Sequence, residues 1–172
     1  MFKAWLTHPL TKDIDIDDPN ITHLRRRIIQ EKPFLRKIYQ EWYTTIAAAL
    51  PPGNEPVLEL GSGAGFMKEV IPNLITTEIF YCTEMDVILD GQNLPFANGV
   101  LRGIVMTDVL HHLPQPRRFF SEAARCVRSG GVIVMIKPWV TPSSWRRLEW
   151  LFQPWMKSWA MFVQIVLRKV DG

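Results

Sequence analysis

The stretch "VLELGSGAGFMKEV", Val57 to Val70, decides how the chain reads. Its first four residues suit a short buried strand, and glycines follow at alternate positions, Gly61, Gly63 and Gly65. The pattern predicts a strand turning straight into a helix. Such a helix has unpaired first amides, and glycines let a ligand come close to them, so the loop is a candidate binding site. One acid, Glu59, stands two positions before the first glycine.

Downstream the chain repeats short apolar runs separated by turns or helices: Leu74 to Ile79, Val87 to Leu89, Gly103 to Thr107 and Val132 to Lys137. Runs without clean alternation read as strands covered on both faces, hence a parallel sheet between helix layers. Between the last two runs, "QPRRFFSEAARCVRSGG" reads as a helix with Phe119, Phe120, Ala123, Ala124 and Val127 on its apolar face. Gly130 and Gly131 suit a left-handed stop. Upstream, "ITHLRRRIIQE" suits one helix and Pro33 the first turn of another. That second helix has an apolar stripe through Phe34, Leu35, Ile38, Tyr39, Trp42, Tyr43, Ile46 and Leu50, read as core. Only "YCTEMD" separates the second and third strands, too short for a helical crossover.

The expected fold is therefore α/β: a Rossmann-like, doubly wound, mostly parallel sheet with helices on both faces and a reduced C-terminal part. At 172 residues and 47% hydrophobic, one domain is expected. Its segments are a helical 1–52, a ligand-binding core 53–140, and 141–172 as an aromatic-rich helix plus a terminal strand, "FVQIVLRK". From Trp139 on lie five of the seven tryptophans. Trp145, Leu148, Leu151, Phe152, Trp155 and Trp159 share one helical face, which either packs on the sheet or forms a peripheral, lipid-facing membrane contact.

A net charge of +3 does not imply a nucleic-acid partner, and the basic clusters fall on separate helices. Cys82 and Cys126 form no metal-binding or disulfide pattern, so no metal is expected and a reducing cytoplasm fits. No signal peptide and no run of about 18 apolar residues is visible.

The loop reads G-x-G-x-G; a dinucleotide fingerprint would want a third glycine where Phe66 stands. Glu59 would oppose phosphates but attract an ammonium or sulfonium. Here the chain resembles the class I S-adenosylmethionine-dependent methyltransferases, in particular the methyltransferase type 11 group, whose first motif is an apolar strand followed by (D/E)-x-G-x-G-x-G. Further motifs match in order. Glu78 closes the second strand, "DGQNLPF" from Asp90 to Phe96 is similar to the D-x-x-x-L-P-F segment, "IVMTDVLHHL" to the fourth strand and its loop, and "EAARCVRSGG" to the next helix and turn.

The resemblance implies S-adenosyl-L-methionine as cofactor, held by Glu59, Gly61, Ser62, Gly63, Gly65, Glu78, Asp90, Gly91 and Thr107. Within it, Glu78 faces the ribose hydroxyls and Asp90 the adenine amino group. The implied activity is methyl transfer to a small-molecule or lipid-like acceptor; the other readings are a catalytically silent binding or scaffold protein and, by fold analogy alone, a nicotinamide-dependent oxidoreductase. No catalytic residue is assigned, and His112 is the candidate should the acceptor need a base. Against the resemblance, a strand and its loops are missing after Val140, with "FVQIVLRK" similar to the family's last strand; Lys137 is a further departure, read as extending to solvent because a cation pointing inward would repel a sulfonium.

Overall fold

The computed structural model describes residues 21–82, 84–138 and 162–170. The aromatic face expected between Trp145 and Trp159 lies outside these residues. Helix α1 runs over Ile21–Glu31 and α2 over Pro33–Ala49. Lys32 between them is extended, at φ −100° and ψ 103°, as a residue before proline must be, and Pro33 opens α2 where no amide is needed.

Six strands form one sheet: β1 Val57–Leu60, β2 Leu74–Glu78, β3 Val87–Ile88, β4 Leu101–Thr107, β5 Val127–Pro138 and β6 Phe162–Arg168. Helix α3, Pro116–Cys126, precedes β5. The strand order is β3-β2-β1-β4-β5-β6, parallel except for antiparallel β6 against β5. The order reverses beside β1, between β2 and β4, which puts the switch point of the sheet at the end of the glycine-bearing strand. β6, which contains most of the "FVQIVLRK" segment, pairs antiparallel with β5.

Successive side chains of each strand enter different cores. Val57, Val105, Val132, Val134 and Ile136 meet Tyr43 and Ile46 of α2, whereas Leu58, Leu60, Ile104, Met106, Ile133 and Met135 meet Phe119 and Ala123 of α3. Period two therefore sends Glu59, like Val57, toward α2. That direction is what makes its environment apolar.

Three expectations need correction. Phe34 is 74% exposed; the stripe is buried only at Tyr43 and Ile46, with Tyr39 and Trp42 half-buried, so burial is confined to the second half of α2. Helix α3 ends at Cys126, with Val127 already extended, so the glycines do not stop it. Gly130, at φ 70°, instead lies in a bulge where β5 shifts register: Leu101 faces Val127 but Gly103 faces Val132. Finally, the glycine loop leads to no α-helix but to a single 3-10 turn, Met67–Glu69. Residues 66–73 must reach the start of β2, Pro72 lacks an amide, and Met67 and Ile71 are pulled into the core, so a longer helix has neither length nor donors.

The segment between β2 and β3 is a loop, as its length demands. Asp86 fixes it by accepting from Lys68 Nζ at 2.6 Å and from the amide and hydroxyl of Thr76, both at 2.9 Å. The Lys68 ammonium is the largest cause of the lowered Asp86 pKa, followed by the Thr76 amide. Between β3 and β4 the chain is clamped from α3: Arg125 donates to the carbonyls of Leu94 at 2.9 Å and Phe96 at 2.7 Å, and Glu122 accepts from the Leu94 amide at 3.0 Å.

Phe119 is fully buried between α3 and the sheet, its ring 5.2 Å from that of Phe120. We predict that Phe119→Ala destabilises the fold by ~3–5 kcal/mol in urea titration, the range for removing a core aromatic. A loss under about 1 kcal/mol would contradict the packing of α3 described above.

Candidate cofactor site

The carboxyl ends of β1, β2 and β4 converge on the loop Gly61–Gly65. Gly61 and Gly63 both adopt positive φ, 63° and 51°, a region open to glycine at little cost. A side chain at Gly61 would also strike Val109, 2.6 Å from the added carbon, and one at Gly65 would strike the Tyr43 hydroxyl at 2.5 Å. At Gly63 the added carbon would meet only Glu78 Oε1 at 3.6 Å and the Gly61 carbonyl at 4.0 Å, so the bend is open there. Gly63 is the floor of a cradle.

Without a helix behind it, the loop pairs amides within the fold. Ser62 donates to the Thr77 carbonyl at 2.8 Å, Gly65 to the Ser62 carbonyl at 2.9 Å, and Gly63 to Glu78 Oε1 at 2.7 Å. Among the described residues no α-helix begins at the loop, so its electrostatics are set by the carboxyl groups beside it.

Glu59 is 3% exposed, and its pKa is pushed up to about 8, first by burial and then by Glu78, with the Ser62 hydroxyl opposing. Beside it Tyr43 is buried, accepts from the Phe66 amide, and has its own pKa raised by burial first and by Glu59 second. Tyr43 and Phe66 rings stand edge to face at 5.0 Å, fixing α2 over the loop. Glu78, 9% exposed, takes the Gly63 amide on one oxygen and the Ile79 amide at 3.3 Å on the other. Each oxygen retains a lone pair for a hydroxyl donor.

At the end of β4 the Thr107 hydroxyl is buried with no hydrogen-bond partner among the described residues. A buried orphan costs about 1–3 kcal/mol, so a ligand that satisfies it gains by the same order. Ser62 is buried and holds the Thr77 amide at 3.0 Å, a supporting role. Asp90 is exposed and makes an Asx turn with the Gln92 amide at 2.8 Å, while Gly91 packs against Leu60. In this arrangement Asp90 shapes the β3–β4 loop at the rim of the cleft. The residues present thus fit a cationic, hydroxyl-bearing ligand: two buried carboxylates, an open glycine bend and one orphaned hydroxyl.

Two features escaped sequence reading. Tyr39 and Tyr43 were legible as core spacing but not as the roof of the loop. Asp108 follows Thr107 with φ 58°, a conformation rare outside glycine, and no composition signal announces it. Its carboxylate lies 3.5 Å from His111 Nδ1, whereas for His112 the neighbour is the His111 ring at 3.9 Å.

This sheet order and crevice define the class I methyltransferase fold. Residues 58–135 match the methyltransferase domain family model of the type 11 group. Over that stretch, a little under half of its length, the chain is similar to the methyltransferase domain family, whose class uses S-adenosylmethionine as cofactor. Among solved structures, a candidate S-adenosyl-L-methionine-dependent methyltransferase from Methanococcus maripaludis aligns over 94% of this chain and 97% of its own, with TM-score 0.65 and 13% identity. A SAM-dependent methyltransferase from Aquifex aeolicus aligns over 70% and 73%, with TM-score 0.55 and 14% identity. The candidate methyltransferase in complex with the Trm112 methyltransferase activator of Haloferax volcanii aligns over 80% of this chain, with TM-score 0.54 and 16% identity. At these identities the likeness shows the fold. The chain spans 65% of the Haloferax protein and 52% of another matched methyltransferase. No curated protein matches the chain significantly.

A folded-state carboxyl pKa of about 8, above the ordinary 4.5, means the empty protein holds this proton between those pH values while the unfolded chain does not. Stability is then lost as pH rises through that window. A cation bound against Glu59 expels the proton. We predict that the melting temperature of the free protein falls from about pH 5 to about pH 8, that Glu59→Gln flattens this slope, and that S-adenosylmethionine binds more tightly as pH rises, with proton release in calorimetry. Proton uptake on binding would contradict the assignment.

Proposed function

We propose that the chain binds S-adenosylmethionine in the cleft of Glu59, Gly61–Gly65, Glu78 and Thr107, and transfers its methyl group to a small-molecule or lipid-like acceptor. The observation that carries this reading is the pair of buried carboxylates around a glycine bend that has no helix terminus. A dinucleotide would place phosphates beside two buried carboxyl groups and could not take the place of the Glu59 proton as a cation can, so the same observation argues against nicotinamide chemistry.

In this reading Glu59 attracts the ammonium and sulfonium charges, Gly63 admits the methionine portion, and Glu78 accepts from ribose hydroxyls. Thr107 offers its orphaned hydroxyl at the adjoining strand end, and Asp90 with Gly91 frames the adenine side. The cofactor supplies an activated methyl carbon on a positive sulfur. The chain's part is alignment, which converts a bimolecular encounter into an intramolecular one. Two free, buried thiols, Cys82 and Cys126, accord with a cytoplasmic location. Among the described residues no helix is long and apolar enough to cross a membrane.

The reduced sheet edge supports a second reading, a methyltransferase-like binding protein without turnover. The β2–β3 connection is a loop rather than a helical crossover, which leaves fewer described residues at that edge on which an acceptor could be held. Calorimetry separates the readings from the alternatives. We predict saturable heat with S-adenosylmethionine and with its demethylated product, none with NAD, and a loss of ~1–3 kcal/mol in Glu78→Ala. Absence of heat at millimolar cofactor would contradict both readings; binding without transfer to any acceptor would leave the second.

A further inference from the structure

Asp108 stands at the carboxyl end of β4, between Thr107 and a 3-10 turn at Leu110–His112. Three contacts fix it there. Its amide donates to the Ile136 carbonyl at 2.7 Å, tying the residue to β5. Val109 fills the space left by the missing side chain of Gly61, and Val109 and Leu110 both pack on the α3-side core. The His112 amide closes the turn on the Val109 carbonyl at 2.8 Å.

The left-handed backbone then turns the Asp108 carboxylate outward, 46% exposed, where His111 Nδ1 lies 3.5 Å away with its ring 58% exposed. Sparsely populated backbone conformations in non-glycine residues gather at functional sites. From α2, Tyr39 approaches the same carboxylate closely enough for the Asp108 charge to help hold the phenol pKa up, after burial. The next residue, Val109, packs on Gly61, so the cluster adjoins the glycine loop through the backbone.

We propose that Asp108 and His111 form a proton-accepting pair for the methyl acceptor, so that the accepting atom is one that carries a proton before transfer, a hydroxyl, phenol or protonated-nitrogen class. This rests on the methyltransferase reading. Asp108 accepts a hydrogen bond from His111 Nδ1–H and orients the ring, a positioning role; His111 Nε2, left with a free lone pair, is the base. Nδ1 and the carboxylate oxygen stand 3.5 Å apart, at the outer limit of a hydrogen bond. In the step, the acceptor's X–H proton goes to Nε2 while X forms a bond to the methyl carbon. The carbon–sulfur bond breaks with its electron pair left on sulfur, which becomes a neutral thioether. His111 then returns the proton to water, so one proton is released per methyl transferred.

The pair has a signature that needs no acceptor. In 15N-histidine-labelled protein at alkaline pH, His111 is expected as the Nδ1–H tautomer, and Asp108→Ala is expected to return it to the Nε2–H form usual for an unpaired imidazole. An Nε2–H tautomer in the unmodified protein, or no response to Asp108→Ala, overturns the pairing. The catalytic half is read with methyl-labelled S-adenosylmethionine and a small-molecule cell extract as acceptor mixture. His111→Ala is expected to lower label transfer by about 100-fold or more while the calorimetric cofactor affinity stays within about twofold. Transfer at the unmodified rate, a loss confined to His112→Ala, or cofactor binding without any transfer by the unmodified protein each overturns the proposal. If calorimetry shows no cofactor binding, the methyltransferase reading itself has failed and the pair falls with it.

Discussion

Burial of the Glu59 carboxyl is the constraint around which the site is arranged. An ionised carboxyl at the tip of a central strand, facing the apolar layer of Tyr43 and Ile46, is costly unless a positive charge or a proton accompanies it. The proton is held while the site is empty, which is why burial lifts the pKa. A cation of matching position can replace that proton. On the proposed function, preference for a sulfonium nucleoside over a phosphate ligand rests on this electrostatic constraint and on the glycine loop leading to no α-helix, rather than on the glycine spacing.

The rest of the fold holds that carboxyl in place. β1 is buried at every residue and lies between β2 and β4, so its end cannot shift without breaking two ladders. Tyr43 presses on Gly65 from α2, Val109 presses on Gly61 from the turn after β4, and Glu78 ties down Gly63 from β2. Three elements thus each fix one glycine of the loop. On the opposite face the Arg125–Glu122 clamp, with Glu122 held far below the usual carboxylate range chiefly by its hydrogen bond to Arg125, keeps the β3–β4 loop at the rim.

What could be read from the chain follows from which physics is local. β1, α1 and α2 were legible because burial on both faces and helical spacing are properties of contiguous residues. The missing helix after the loop was not, since its absence depends on the distance residues 66–73 must cover to reach β2. Gly130 looked like a helix stop and serves a strand bulge, because Val127 pairs with β4 before the glycines are reached. Glu59, Glu78 and Thr107 were placed at the crevice by order along the chain, whereas Asp108 depends on a backbone angle that only the folded turn reveals. Phe34 matched the stripe yet is exposed, because spacing marks a face and not how much of its length is covered.

The most direct measurement is a crystal structure with the demethylated cofactor product bound. The account predicts its ammonium against Glu59, its backbone passing over Gly63, and its ribose hydroxyls on Glu78. A ligand lodged elsewhere, with Glu59 turned away from the cleft and the Thr107 hydroxyl still unpaired, would contradict it.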